Sequence, residues 1–358
     1  MRRFLLTLVA GTTLVLAAAT PALACGGLLS PSGSVNLTRT TTLAAYSGGI
    51  EHYVTAFEFA GTGGAFGSII PLPGVPTAVD KGGDWTLQRL VREVRPPRAE
   101  LAADSVRTVA AAAPAEVLLE ARIDALDITV LRGGAESVGE WATANGFLLS
   151  PDAPEVLDFY ARRSQIFMAA RFDADAAQAK GVNLGDGTPV HLTIPTDNPW
   201  VPLRILGLGR QPAERIDADV FLLTERKPAL LPGSEAPGLV VERQGQASES
   251  LLTDLRSDRG MEWMPESMYL SFLRVDAAPG ELTYDLAVDV SGADKPSRLA
   301  AGLEGSDLVG TGGTGTGIVE GDVPDPFPAG AVVVGLVGLG VVAALVVAGA
   351  VVLAARRQ

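Results

Sequence analysis

The chain has 358 residues, 28 of them basic and 41 acidic, with two histidines and one cysteine. One thiol excludes any disulfide within a single chain, so stability has to come from an ordinary hydrophobic core. Only four basic residues and none of the acidic ones lie in the two terminal apolar segments, which leaves 24 basic against 41 acidic residues between them, a formal charge of −17. A surface that acidic repels nucleic acid and anionic head groups and attracts cations or basic partners.

Met1-Arg2-Arg3, the apolar run Phe4 to Ala19 and the small-residue stretch Ala22-Leu23-Ala24 have the grammar of a secretory signal peptide over residues 1–24. Export would leave Cys25 at the mature N-terminus. A lipoprotein signal places Leu three residues before the modified cysteine, whereas Ala22 stands there and Leu23 comes one step late. Cys25 is therefore read either as a lipid attachment point or as the first residue after ordinary cleavage, with the second fitting the Ala-x-Ala site better. A lone exported thiol can also oxidise or pair between chains.

Residues 25–300 alternate irregularly between strand and helix patterns, large enough for two domains or one large one. Period-two apolar spacing predicts strands over His52 to Phe59, Ala121 to Leu131, Val190 to Ile194, Leu203 to Leu208, Ala218 to Thr224, Met268 to Val275 and Thr283 to Val290. The last is the cleanest, with Tyr284, Leu286, Val288 and Val290 on one face and Asp285 and Asp289 on a face expected to meet water. Leu87, Leu90, Val91 and Val94 recur at helical spacing after an Asp84 cap and stop at Pro96-Pro97. A Ser137-x-x-Glu140 capping box opens a helix that Asn145-Gly146 closes, and Asp152 to Arg163 and Ser248 to Ser257 are two further helices. Strands with half-polar faces and few helices predict an α+β fold, a mostly antiparallel or mixed sheet covered by helices.

The most unusual charge feature is Arg89, Arg92, Arg95 and Arg98. Helical spacing aligns the first pair and an extended Arg-Pro-Pro-Arg turn the second, a basic ridge suited to an anionic wall polymer or an acidic partner. The plainer reading is a solvated face with local ion pairs to Glu93 and Glu100.

From residue 301 to 328 Gly, Thr, Asp and Pro dominate, and apolar side chains are too sparse to offset the entropy of ordering, so a flexible stalk is expected. As a coil it would hold a domain about 30 Å from its anchor. Leu308-Val309-Gly310-Thr311-Gly312 has the outline of a sortase motif, with Val309 where proline is usual; a chance match within the stalk is the more economical reading. Residues 329–355 then form the expected transmembrane helix, its core Ala331 to Ala355 wholly uncharged. The ten Val and four Leu of that core supply roughly −4 to −8 kcal/mol toward insertion before the glycines subtract some. Arg356 and Arg357 belong inside by the positive-inside rule, which leaves residues 356–358 as a cytoplasmic tail too short for a signalling domain. Gly340, Ala344 and Ala348 at small-xxx-small spacing favour helix pairing, a route to homo-oligomers.

No catalytic motif emerges. Gly67-Ser68 lacks the second glycine of a nucleophile elbow, and Gly61 to Gly67 lacks the Lys-Ser/Thr of a phosphate loop. His52 and His191 each fall on the strand face opposite their apolar neighbours, so both are expected to face solvent, and without H-x-H or H-E-x-x-H spacing no metal and no cofactor is expected. Carboxylate pairs for glycoside hydrolysis are set by spacing in space and are not readable here.

Four segments together resemble a known family: Ala24-Cys25-Gly26-Gly27, Ser68-Ile69-Ile70-Pro71-Leu72-Pro73-Gly74-Val75-Pro76, Thr193-Ile194-Pro195-Thr196 leading to Trp200-Val201-Pro202-Leu203-Arg204-Ile205, and Met268-Tyr269-Leu270-Ser271-Phe272-Leu273-Arg274. The set is similar to the exported bacterial family called domain of unknown function 2330, over most of residues 25–300. The resemblance implies an exported, envelope-associated protein of unassigned activity and carries over no catalytic residue. A second cysteine often follows Cys-Gly-Gly in that family; Leu28-Leu29-Ser30 stand there instead, so the resemblance brings no disulfide to Cys25. The expected function is a membrane-anchored extracytoplasmic protein, a non-enzymatic binding or structural module of the cell envelope that binds an envelope protein or wall polymer or supports an assembly in the membrane. The alternative is an extracytoplasmic hydrolase using dispersed carboxylates.

Overall fold

A computed structural model describes residues 27–29, 40–57, 66–95, 116–173 and 188–303. The signal-peptide, stalk-to-tail and sortase assignments, Cys25, Arg98 and the transmembrane segment all lie outside the described residues, except that the stalk's first three residues fall within them. Among the described residues no helix is long and apolar enough to cross a membrane.

The fold is α+β. Its centre is a mixed seven-stranded sheet in the order β13 (Leu239–Gln246), β14 (Tyr269–Ala277), β11 (Ile216–Thr224), β2 (Thr40–Ser47), β3 (Ile50–Phe57), β9 (Thr188–Pro195) and β5 (Ala78–Lys81). Only the β11–β2 pairing is parallel; the other five are antiparallel. Gly48 and Gly49, at φ 60° and 80°, make the two-residue turn between β2 and β3, a geometry that matches the twist of the flanking strands and that glycine adopts without strain.

A second, antiparallel sheet runs β1 (Gly27–Leu29), β4 (Phe66–Pro71), β8 (Ile166–Phe172), β7 (Leu126–Arg132) and β6 (Glu116–Ile123). A small third sheet joins β10 (Trp200–Val201), β15 (Leu286–Asp289) and β12 (Ala229–Leu231). The longer helices are α1 (Thr86–Val94), α2 (Ala135–Ala144), α3 (Ala153–Ala161) and the helix Glu249–Ser257.

Both faces of the central sheet are buried. Along β11, Val220 and Leu222 join one apolar cluster, with Tyr53, Leu192, Ile194 and residues of the five-stranded sheet, α2 and α3. Phe221 and Leu223, pointing the other way, join a second cluster with Leu43, Val54, Leu90 of α1, Leu251, Leu252 and Leu255 of the helix Glu249–Ser257, and Met261, Met264 and Met268. Strand side chains alternate between faces, so every inner residue of this sheet meets one core or the other.

Several local readings need correction for physical reasons. The stretch Ala121 to Leu131 is not one strand but the β6–β7 hairpin, turning at Asp124, whose φ of 52° is a left-handed conformation that aspartate tolerates. Leu203 to Leu208 contains a 3-10 turn, Arg204–Gly207, instead of a strand, because its leading amides are taken by side chains described below. The strand at Thr283 to Val290 shortens to β15, and Asp285 is fully buried instead of facing water. Helix α2 begins at Ala135, so Ser137 lies inside its first turn, while Asn145 and Gly146, at φ 79°, close it as expected.

Helix α1 is capped from far away and not by Asp84. Asp258, just past the helix Glu249–Ser257, accepts from the amides of Asp84 (3.0 Å) and Trp85 (2.9 Å) and from the Thr86 hydroxyl (2.8 Å). The Trp85 amide is that of the N-cap residue, and the Asp84 amide and Thr86 hydroxyl stand on either side of it. Gly83 leaves room for this: a Cβ there would stand 2.2 Å from Asp258 Oδ2 and 2.3 Å from Thr86 Oγ1.

A histidine pair under an indole, and two buried carboxyls

His52 on β3 and His191 on β9 are diagonal neighbours across adjacent strands, since His52 pairs with Thr193 and His191 with Val54. Both side chains point to the face that α1 and the helix Glu249–Ser257 cover. His191 is 5 % exposed, and neither imidazole is the solvated group that the alternation predicts. His52 Nδ1 and His191 Nε2 lie 2.9 Å apart, one donating to the other.

Trp263 closes the pair. Its indole stacks on His52 with centroids 3.7 Å apart and planes within 6°, and on His191 at 5.1 Å and 22°. The indole Nε1 donates to the Gly260 carbonyl, which fixes the ring over the imidazoles. Ala45, opposite His52 on β2, has the smallest chiral side chain at a position beside the stack.

Burial pushes both imidazoles down to about 4, and for His52 the neighbouring His191 adds to the effect. At neutral pH both rings are therefore neutral, which is what a single N–H···N bond requires. The bond survives one added proton and is lost when both rings are charged, because two N–H donors then face each other. Among the described residues no carboxylate is hydrogen-bonded to either ring, and no group of three or more His, Cys, Asp or Glu side chains is gathered to hold a metal ion.

The second polar centre is Asp285, 0 % exposed. Its Oδ1 accepts from the Tyr160 hydroxyl (2.8 Å) and from the amides of Leu203 (2.7 Å) and Arg204 (2.9 Å); its Oδ2 accepts from Arg163 Nη2 (2.6 Å). Tyr160 in turn accepts from the Ile205 amide at 2.8 Å. Arg163 lies over the rings of Phe159, Tyr160 and Trp200 and donates to the Ala300 carbonyl. Burial raises the Tyr160 phenol well above its usual value, so it remains a donor. The cluster ties α3, the 3-10 turn, β15 and the short helix Arg298–Ala301 into one unit.

Glu51 is the third. It is 1 % exposed, its Oε2 accepts only a 3.3 Å bond from the Trp200 amide, and its Oε1 has no partner. Burial lifts its carboxyl to about 8, so it is protonated at neutral pH.

The arginine ridge is divided. Arg89 is held by Asp254 (2.7 Å) and Glu93 (2.9 Å), and Arg95 makes a two-pronged contact with buried Asp219 at 2.8 and 2.9 Å. These two cations are ion-paired to the protein's own carboxylates. Arg92 is exposed.

Sequence reasoning placed His52 and His191 on the correct strands and Asp285 one residue ahead of β15, but gave all three the wrong environment. The missed signal is the unbroken apolar run Val220-Phe221-Leu222-Leu223, which marks a sheet buried on both faces, where the second parity also points into a core.

The family model DUF2330, described as an uncharacterized protein conserved in bacteria, matches residues 19–229. No curated protein matches the chain. Among solved structures the chain is similar to a mutated baculovirus P35 after caspase cleavage, at 8% identity and a TM-score of 0.39, over 70% of this chain and 99% of that one. A second structure of mutated, cleaved baculovirus P35 matches at 7% identity and a TM-score of 0.37, over 72% and 98%, and baculovirus P35 itself at 9% and 0.36, over 60% and 77%. At these TM-scores the likeness carries neither fold nor activity over to this chain.

Proposed function

This chain belongs to the DUF2330 family of uncharacterized proteins conserved in bacteria, and from that premise we propose an exported, single-pass protein whose α+β ectodomain is a non-enzymatic binding or structural module of the cell envelope. The observation that carries the reading is the segment Ala331 to Ala355, uncharged over its whole length and followed by two arginines. The leader pattern at residues 1–24 supports export, and the Gly/Thr/Pro-rich residues 301–328 support a stalk. The ectodomain lies outside the cytoplasm in this reading, with the C-terminus inside. Cys25 is then the mature N-terminus or a lipid site, and a wall polymer or another envelope protein is the partner class.

Deleting residues 331–358 is expected to release a folded ectodomain into the medium, with the thermal midpoint of the detergent-extracted full-length protein. Combining the deletion with Cys25→Ser separates the two anchors. Release only from the double variant assigns a lipid to Cys25; retention or aggregation of both truncated forms contradicts the anchoring reading.

A further inference from the structure

We propose that the segment Asp258–Met264 is a strap latched over the second core by Trp263 on the His52–His191 pair, and that proton uptake by the pair releases it. The strap is pinned at three places. Asp258 holds the start of α1 through three hydrogen bonds. Gly260, at φ 85°, runs so close to β5 that a Cβ there would stand 2.7 Å from the Lys81 carbonyl. Trp263 supplies the third, and Met261 and Met264 beside it fill the core under α1 and the helix Glu249–Ser257.

Of the three attachments, only the third depends on two bases remaining uncharged. With the strap closed, the imidazoles face each other at 2.9 Å under an indole, and a second proton puts two donors and two positive charges in that space. With the strap open, water reaches both rings and each charges at its ordinary value near 6.5. The open form therefore binds protons more tightly than the closed one, so acid shifts the population toward it.

The bordering charges do not offset this. On β5, Asp80 faces His191 across the ladder but is exposed, and Lys81 is paired with Asp84 and Asp124. On the strap, Arg259 pairs with Asp84, Glu262 is exposed and accepts from the Gly260 amide, and Asp258 is committed to α1. On the covering helices, Arg89 and Asp254 pair with each other, and Arg256 donates to the Pro265 carbonyl. Glu51 on β3 points through the opposite face of the sheet, with Tyr53.

Amide hydrogen exchange, normalised to the intrinsic rate at each pH, tests this on the full chain. Between about pH 7 and about pH 4, protection of residues 259–264 should fall about tenfold or more while β11 and β14 keep theirs. The double variant His52→Phe/His191→Leu, which keeps a ring under Trp263 and removes both titrating groups, should hold the strap protected across the same range. Unchanged strap protection in the native chain overturns the proposal, as does parallel loss in β11 and β14, which is global unfolding. Equal loss in the double variant also overturns it, and if that variant does not fold, the native titration alone decides.

Discussion

Asp285→Ala should destabilise the ectodomain by about 3–5 kcal/mol in denaturant melts at neutral pH. The substitution removes the acceptor of four hydrogen bonds at once: those from Tyr160, Leu203, Arg204 and Arg163. Worse, it leaves the Arg163 guanidinium, 5 % exposed, without its counter-charge among three aromatic rings. Breaking a buried pair on one side costs more than the pair itself contributes, because the desolvated partner remains. Asp285→Asn keeps an acceptor of the same shape and should fall between the two. A loss below about 1 kcal/mol for the alanine variant would mean that Arg163 escapes to solvent and that the cluster does not fix α3 to β15.

Glu51→Gln acts in the opposite direction and with a pH signature. Burial holds the Glu51 carboxyl at about 8 against an ordinary value of 4.5, so the unfolded chain releases the proton first as pH rises and the native chain keeps it. Native stability consequently declines between about 4.5 and about 8, by up to about 1.4 kcal/mol per pH unit, and levels off above. Glutamine cannot titrate, but its amide N–H groups bring back roughly 1–3 kcal/mol of unpaired polar cost. The variant should therefore be more stable than the native protein by about 2–4 kcal/mol above pH 8, and equal to it or weaker below pH 4.5. Urea melts across that range check this; a constant gap at every pH would show that Glu51 is not protonated in the fold.

The fold class and most strand positions were legible because apolar alternation survives in β9 and because β11 and β14 carry short runs rich in apolar and aromatic residues. The environment of each face was not. Alternation tells which residues share a side, and it takes the whole topology to tell what covers that side. His52 on β3 and Asp285, just ahead of β15, illustrate the point: each was expected to meet water, and each is covered, by Trp263 in one case and by α3 with residues 203–205 in the other. The meeting of His52 with His191 depends on the β3–β9 register across 139 residues, which no local pattern encodes. The arginine ridge shows the same limit. The Arg89–Glu93 pair is one helical turn long and was readable, whereas Asp254 and Asp219 arrive from 165 and 124 residues away. Asp258 at the start of α1 belongs with them, a cap supplied by tertiary structure where the local sequence offered Asp84.

The envelope-module reading is tested most directly by crosslinking the full-length protein in its native envelope and identifying the captured peptides by mass spectrometry. A reproducible envelope partner, protein or wall polymer, is expected, with crosslinks confined to one face of the ectodomain and an N-terminal peptide beginning at Cys25. Capture of nothing, or of cytoplasmic proteins through residues 40–303, would contradict it.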